Sequence, residues 1–310
     1  GQRSVAIGEG ALQLQNNDDN NYNIAIGHHA GQLISTGVLN TIIGGLAGDA
    51  MTTGNQSVFI GYSAGSATVD GTENVAIGSN ALLTNIDGSK STAIGTSALR
   101  NQEPASAIDM YNVAVGHNAG YAVSTGTGNT LVGSLAGDSL TEGGSNTVLG
   151  YDALSTEDAH GTNTAVGYQS LKALDAGANA YNVAVGFQSG LSVSTSTGNV
   201  LVGALAGDAV LTGVENTFVG FNSGGANTSG DRSVALGGYS LVSNTVGVRN
   251  VAIGHAALQS NVDGSYSVAV GYAALNAQDP ASAANMYNVA VGHNAGLSVT
   301  TGIQNTLLGG

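Results

Sequence analysis

The sequence has no cysteine, no tryptophan and only two prolines among 310 residues. The lack of cysteine excludes disulfides and thiolate metal sites. Charged residues make up 8% of the chain, against roughly 25% in ordinary globular domains. Six Lys plus Arg face 20 Asp plus Glu, for a net charge of −14. Since binding to phosphates needs clustered cations, we expect no nucleic-acid partner. No apolar run approaches the ~18 residues of a membrane helix, so we expect no membrane insertion of this segment.

Glycine is abundant, with 49 residues, and 18 of these glycines end a recurring five-residue phrase. Thirteen of the 17 spacings between them are 17 residues, and the others are 19 or 21. A fixed period near this length indicates stacked repeats. The sequence therefore predicts a single repeat solenoid over residues 1–310 with 18 coils. The phrase glycines are Gly8, Gly27, Gly44, Gly61, Gly78, Gly95, Gly116, Gly133, Gly150, Gly167, Gly186, Gly203, Gly220, Gly237, Gly254, Gly271, Gly292 and Gly309.

The phrase has the pattern of a short strand. The residue three before the glycine is always Val, Ile or Thr, and the residue one before it is always Ile, Val or Leu. Between them the residue is usually Ala. Because side chains alternate along a strand, one face is bulky and the other is small. One strand per period, always in the same direction, predicts an all-β fold: a parallel β-roll or β-helix solenoid with ~17-residue coils. We expect a second, weaker strand and a loop in the rest of each coil.

Two further positions are restricted. Four residues before the glycine, Asn occurs in 13 copies and Ser in five. Stacked coils would align these Asn residues into a column whose amides hydrogen-bond along the stack, or Asn serves there only as a turn residue. The fourth residue after the glycine is only Leu or Gly.

A 17-residue coil encloses few large side chains, so an isolated stack would be only marginally stable. Small side chains allow a close approach of another surface. We therefore expect the alanine face of the strands to pack against identical chains around a long axis.

The phrases at residues 4–8, 74–78 and 112–116 resemble the head repeats of trimeric autotransporter adhesins, and similar repeats occur in tail fibres of bacterial viruses. The coils of this chain are longer than is usual in that family. The resemblance implies a left-handed parallel β-roll in a homotrimer. It also implies a structural adhesion module that attaches to a host cell surface or matrix through a glycan or protein receptor. The implied location is extracellular, on a virion or injection-machine tail fibre or on the bacterial cell surface. The chain starts without Met and its ends lack polar capping segments, so we expect an internal segment of a longer fibre.

Four insertions interrupt the 17-residue period, and each ends in a tyrosine directly before the phrase. Loops vary without disturbing a ladder, which makes these tyrosines candidates for recognition. The alternative is that each ring only covers the bulge that it ends. The insertions lie within Gln13–Tyr22, Arg100–Tyr111, Lys172–Tyr181 and Asn276–Tyr287, so the candidates are Tyr22, Tyr111, Tyr181 and Tyr287.

The residue directly after the phrase glycine is often aromatic or histidine, as at His117, His293 and Tyr62. A stacked column of such rings would form a strip that binds sugar or protein. If this turn met a threefold axis, His117 or His293 could also hold an ion; the alternative is an ordinary exposed turn. The sequence has no nucleophile elbow, phosphate loop or His-Glu-x-x-His motif. We therefore predict no enzyme activity, no cofactor and no metal site.

Three other functions remain open at this point. A self-assembling extracellular filament subunit would form end-to-end polymers. An ice-binding protein would need regular Thr-x-Thr ladders, whereas the threonines here are irregular. A polysaccharide-cleaving fibre would release sugar from host glycan.

Overall fold

The computed structural model describes residues 3–16 and 20–310. The chain divides into two compact units, Gly1–His160 and Gly161–Gly310. Within its described residues the first unit holds nine strands, which are β1 (Val5–Ile7), β2 (Ile24–Ile26), β3 (Thr41–Ile43), β4 (Val58–Ile60), β5 (Val75–Ile77), β6 (Thr92–Ile94), β7 (Val113–Val115), β8 (Thr130–Val132) and β9 (Thr147–Leu149).

The second unit repeats this arrangement and adds two short strands. Its strands are β10 (Thr164–Val166), β11 (Val183–Val185), β12 (Val200–Val202), β13 (Thr217–Val219), β14 (Val234–Leu236), β15 (Val251–Ile253), β16 (Gly264–Ser265), β17 (Val268–Val270), β18 (Ala284–Asn285), β19 (Val289–Val291) and β20 (Thr306–Leu308). The strands β16 and β18 pair with each other, and each of the others covers the three residues before a phrase glycine.

Successive phrase strands pair in parallel and in register within each unit. Val58 in β4 lies opposite Val75 in β5, one period further along the chain. The turns are joined in the same way: the Gly61 N–H donates to the Ile43 carbonyl of the preceding coil (2.8 Å), and the Ala67 N–H donates to the Leu83 carbonyl of the next (3.0 Å). The predicted parallel β-solenoid with ~17-residue coils is therefore confirmed. The prediction that residues 1–310 form one domain stays a prediction.

The second strand predicted in each coil is wrong for most coils. Among the described residues, strand-like pairing outside the phrase strands is limited to three places. These are the pair β16 and β18, an isolated bridge between Ser89 and Asp109, and a bridge at Asn20. The reason is the number of corners in a coil. In the coil that begins at Gly78, the φ angle is positive at Gly78, Asn80, Leu82 and Lys90. A left-handed residue interrupts extended backbone. Between the corners at Leu82 and Lys90 the chain then makes mainly turns and bends, with only the single bridge at Ser89.

The same corners explain why the fourth residue after the phrase glycine is only Leu or Gly. Leu82 has a φ of 49° and Gly48 a φ of 50°, and both lie inside their coils. A buried position favours an apolar side chain, while a positive φ disfavours the β-branched Val and Ile. Leu and Gly satisfy both conditions.

The alanine face of the phrase strands lies inside the coil, so the prediction that this face packs against identical chains is wrong. Ala6 in the first strand is exposed. The other alanines between the two bulky positions have no exposed surface in a single chain: Ala25, Ala76, Ala93, Ala114, Ala165, Ala184, Ala235, Ala252, Ala269 and Ala290. The interior is narrow, because a second alanine or serine and the Leu/Gly position occupy the opposite side. Where a larger residue replaces alanine, glycine makes room: a Cβ built on Gly65 would lie 2.7 Å from the Phe59 ring.

The bulky face of the phrase strands points outward. Along this face the Val, Ile, Thr and Leu residues on either side of the central position remain half-buried or exposed in every described phrase strand of the two units. The more exposed members are Val5, Ile7, Ile24, Ile94, Val113, Leu149, Val200, Ile253, Val291 and Leu308. We call this surface the outer strand face.

The asparagine column predicted from the sequence is confirmed, although its bonds run mainly to the backbone. The Asn40 N–H donates to Asn23 Oδ1 (2.9 Å), Asn40 Nδ2 donates to the Gly54 carbonyl (2.9 Å), and the Ser57 N–H donates to Asn40 Oδ1 (2.9 Å). Direct amide–amide bonds are rarer, as from Asn199 Nδ2 to Asn182 Oδ1 (3.2 Å). These buried amides satisfy backbone groups that no water reaches.

A second inward column is formed by the seventh residue after each phrase glycine, which we call the core slot. It holds apolar residues such as Ile34 and Val193, or amides such as Asn244 and Gln278, all without exposed surface. The amides bond along the stack, with Gln278 Nε2 donating to Asn261 Oδ1 (3.0 Å). Among the described residues no helix is long and apolar enough to cross a membrane.

Candidate recognition surface

The candidate recognition residues lie on two columns of the surface, and no pocket opens among the described residues. The first, which we call the pre-strand column, contains the residue directly before each phrase. All of these residues have a positive φ, for example 53° at Tyr22 and 58° at Glu215. This column carries four of the chain's six basic residues, Arg3, Lys90, Arg232 and Arg249, together with Tyr22, Tyr111, Tyr181, Tyr266 and Tyr287.

In the first unit the column pairs cations with tyrosines. The Arg3 guanidinium donates to the Tyr22 hydroxyl (2.5 Å) and lies over its ring. Residues 17–19 of the insertion that ends at Tyr22 lie outside the described residues. Lys90 Nζ lies 5.5 Å from the centre of the Tyr111 ring and donates to Asp109 Oδ2 (2.7 Å). The Tyr111 hydroxyl donates to the same carboxylate oxygen (2.8 Å).

These bonds shift two ionisation equilibria. The hydrogen bond to Asp109 raises the pKa of Lys90. The hydrogen bonds from Lys90 and from the Tyr111 hydroxyl lower the pKa of Asp109. Both side chains are solvent-exposed, so the pair contributes little to stability. Its effect is to hold the Tyr111 ring in place.

In the second unit the column forms a stack at its C-terminal end. The Arg249 guanidinium donates to the Tyr266 hydroxyl (2.5 Å) and lies 5.4 Å from the ring centre. The Tyr266 ring in turn stacks on that of Tyr287 at 5.2 Å. Tyr181 differs, because its ring is 63% exposed and makes no polar or ring contact within the described residues.

The second column is the residue directly after each phrase glycine, which we call the post-glycine column. His293 stacks on Tyr272 (5.1 Å, 10° between planes), and Tyr272 stacks on His255 (5.5 Å, 8°). Tyr168 and Phe187 stack in the same way at 5.3 Å. In the first unit His117 is exposed. In these stacks the rings cover one another's faces, whereas Phe221 contacts Tyr239 edge-to-face at 5.3 Å.

The structure brings together one group that the sequence analysis missed. Glu157, Asp158 and His160 each place a potential metal ligand atom within 4.8 Å of the other two. Glu157 occupies the core slot of its coil and has no exposed surface. The signal in the sequence was a carboxylate where aligned coils have an apolar or amide residue, but the slot is recognisable only once the corners of the coil are known.

The phrase glycines form corners rather than a binding surface. Comparison with protein-family models and with curated proteins found no match to this chain, so its function is argued from the geometry of the coils and their columns.

Proposed function

We propose that this chain is a segment of a homotrimeric extracellular fibre that attaches to a host cell surface or matrix through a glycan or protein receptor. The fibre belongs to a virion or injection-machine tail, or to a bacterial surface adhesin. The outer strand face carries this proposal, since it is apolar, repeats at every coil and is uncovered in a single chain.

Parallel sheets occur almost only with both faces covered. The inner face of each unit is covered by its own coil, and the outer strand face needs another layer. Because its Val, Ile and Thr columns repeat at each coil, the best-matched layer repeats at the same spacing. A second and a third copy of the same chain meet this condition, and closed cyclic symmetry leaves no copy with an uncovered face. The interface thus uses the bulky side of the strands and not the alanine side.

Attachment to a host surface would result from the repeated presentation of the same side chains along the fibre. A trimer of repeated coils presents the same exposed side chains many times, so individually weak contacts add up to high avidity. The pre-strand column provides those contacts, because its tyrosines and cations are exposed or half-exposed and four of the tyrosines end the insertions. Tyrosine supplies a flat apolar ring and a hydroxyl, a combination that suits both sugars and protein surfaces.

The oligomeric state tests the assembly. We expect the native chain to have three times its single-chain mass of 30.4 kDa in analytical ultracentrifugation. The double variant Ile94→Lys with Val113→Lys places two charges on adjacent strands of the outer strand face. It should weaken assembly about tenfold or more, because each charge would have to be desolvated.

The matched control is Leu211→Lys, which adds a charge at a side chain that is 45% exposed and lies away from the phrase strands. It should leave the trimer intact. A native monomer with full β content would contradict the proposed assembly, and open end-to-end polymers in micrographs would favour a filament subunit instead.

Receptor binding tests the recognition surface. Tyr181→Ala should reduce binding to host cells or to a glycan array several-fold, whereas the free energy of unfolding should change by less than ~0.5 kcal/mol, because the side chain is largely exposed and makes no polar or ring contact with the described residues. Tyr62→Ala is the comparison, since that ring is equally exposed, at 60%, but belongs to the post-glycine column. Loss of binding in Tyr62→Ala alone would move recognition to the post-glycine column.

A further inference from the structure

We propose that Glu157, Asp158 and His160 bind a divalent transition-metal ion, with Zn²⁺ as the best fit. All three residues belong to the first unit, at the last coil before its end at His160. The proposal is independent of the fibre function, because it rests on the packing of this one coil.

The first argument is the position of Glu157. In the described coils of the first unit, the other core slots hold uncharged side chains, including Ile34, Met51, Val123 and Leu140. Glu157 is equally buried. A carboxylate in this slot brings an anionic oxygen, a ligand type that Zn²⁺ accepts, into the interior of the coil. The backbone N–H of His160 donates to Glu157 Oε1 (3.1 Å), which turns this oxygen towards the imidazole.

The second argument is the imidazole of His160. Its Nδ1 atom is inaccessible to solvent and has no hydrogen-bond partner. Nδ1 lies 3.5 Å from Glu157 Oε1, which is too long for a good hydrogen bond. Two ligands at about 2.0–2.2 Å from a tetrahedral Zn²⁺ are roughly 3.4 Å apart. The separation therefore suits two atoms that share an ion better than two atoms that bond to each other.

The third ligand is the exposed carboxylate of Asp158. The backbone of Asp158 is held by the preceding coil, since the Asp158 carbonyl accepts from the Thr141 N–H (2.5 Å) and from Thr141 Oγ1 (2.9 Å). One imidazole nitrogen and two carboxylates, with a fourth position open to water, match a zinc site with three protein ligands. Ca²⁺ fits less well because it needs six to eight oxygen ligands.

Zinc titration of the full 310-residue chain tests the site. We expect calorimetry to give one strong Zn²⁺ site per chain, and the unfolding temperature to rise with Zn²⁺ and to return on addition of EDTA. Glu157→Gln, Asp158→Asn and His160→Gln should each weaken binding about tenfold or more.

Two features keep the test decisive. Glu157→Gln should fold, because Gln102 and Gln278 fill the same core slot in other coils. His29→Gln removes another histidine of the first unit, and it should leave Zn²⁺ affinity unchanged. Unchanged binding in both Glu157→Gln and His160→Gln would overturn the site, as would a native chain whose unfolding temperature does not respond to Zn²⁺; Glu157 and His160 would then form only an ion pair.

Discussion

Replacing Gly78 with alanine should lower the free energy of unfolding by about 4 kcal/mol or more. Gly78 has a φ of 135°, a conformation that other residues adopt only under strain. An added Cβ would also lie 2.5 Å from the Gly95 carbonyl oxygen and 2.6 Å from its carbon. Those atoms belong to the backbone of the next coil and cannot rotate away. The coils would have to separate, which breaks the ladder between β5 and β6.

The control for this variant is Gly177→Ala. Gly177 also has a positive φ, 65°, but a Cβ there meets no atom within 4 Å. Gly177→Ala should lower the free energy of unfolding only by the cost of a left-handed backbone at a non-glycine residue, about 1–2 kcal/mol. Thermal and urea unfolding of both variants measure the difference. Equal losses would show that backbone strain alone, and not contact between coils, restricts the phrase position to glycine.

The coil could be predicted from sequence because the positions with the strictest conformational and packing requirements recur in every coil. A glycine such as Gly78 must be conserved in every copy when the next copy stacks on it, so 18 repeats reveal the period and the strand before it. The Leu/Gly position is equally regular for a physical reason, since residues such as Leu82 are both buried and left-handed.

The inner and outer faces were assigned wrongly for a reason that is also physical. Alternation shows that Val75 and Ile77 share one face and that Ala76 faces the other way, but it does not show which face lies inside. Burial of large side chains is the usual rule. In this coil the rule is reversed: Ala76 has no exposed surface, as is also true of Ala81 and Leu82, while Val75 and Ile77 are only half-buried.

The candidate surfaces were only partly predictable. The insertions indicated Tyr111 and Tyr287, because an insertion and its last residue are visible in an alignment of the repeats. The partners of these tyrosines could not be predicted, since Lys90 and Tyr266 lie one coil away in the sequence and come near only because the coils stack. Glu157 was missed because the core slot varies from coil to coil, so one unusual residue there produces no repeating pattern in the sequence.

Replacing Asn244 with aspartate should lower the free energy of unfolding by about 3–5 kcal/mol at pH 7, the cost of an uncompensated buried charge. Asn244 is fully buried in the core slot. Its Nδ2 donates to Asn227 Oδ1 (2.7 Å) and to the Gly247 carbonyl (3.0 Å). A carboxylate would direct a negative oxygen at both acceptors. Only the contact from Asn261 Nδ2 (3.3 Å) would be retained.

The pH dependence of this variant separates charge from lost hydrogen bonding. Burial raises the pKa of the introduced carboxyl above its unfolded value of about 3.9, so the folded state binds the additional proton between the two values. The stability of Asn244→Asp should therefore fall as the pH rises from about 4, whereas below that pH the remaining deficit reflects the lost donor. Asn285→Asp places the same charge at an exposed position and should be nearly neutral. A deficit in Asn244→Asp that does not change between pH 4 and pH 8 would contradict a dry amide column in the second unit.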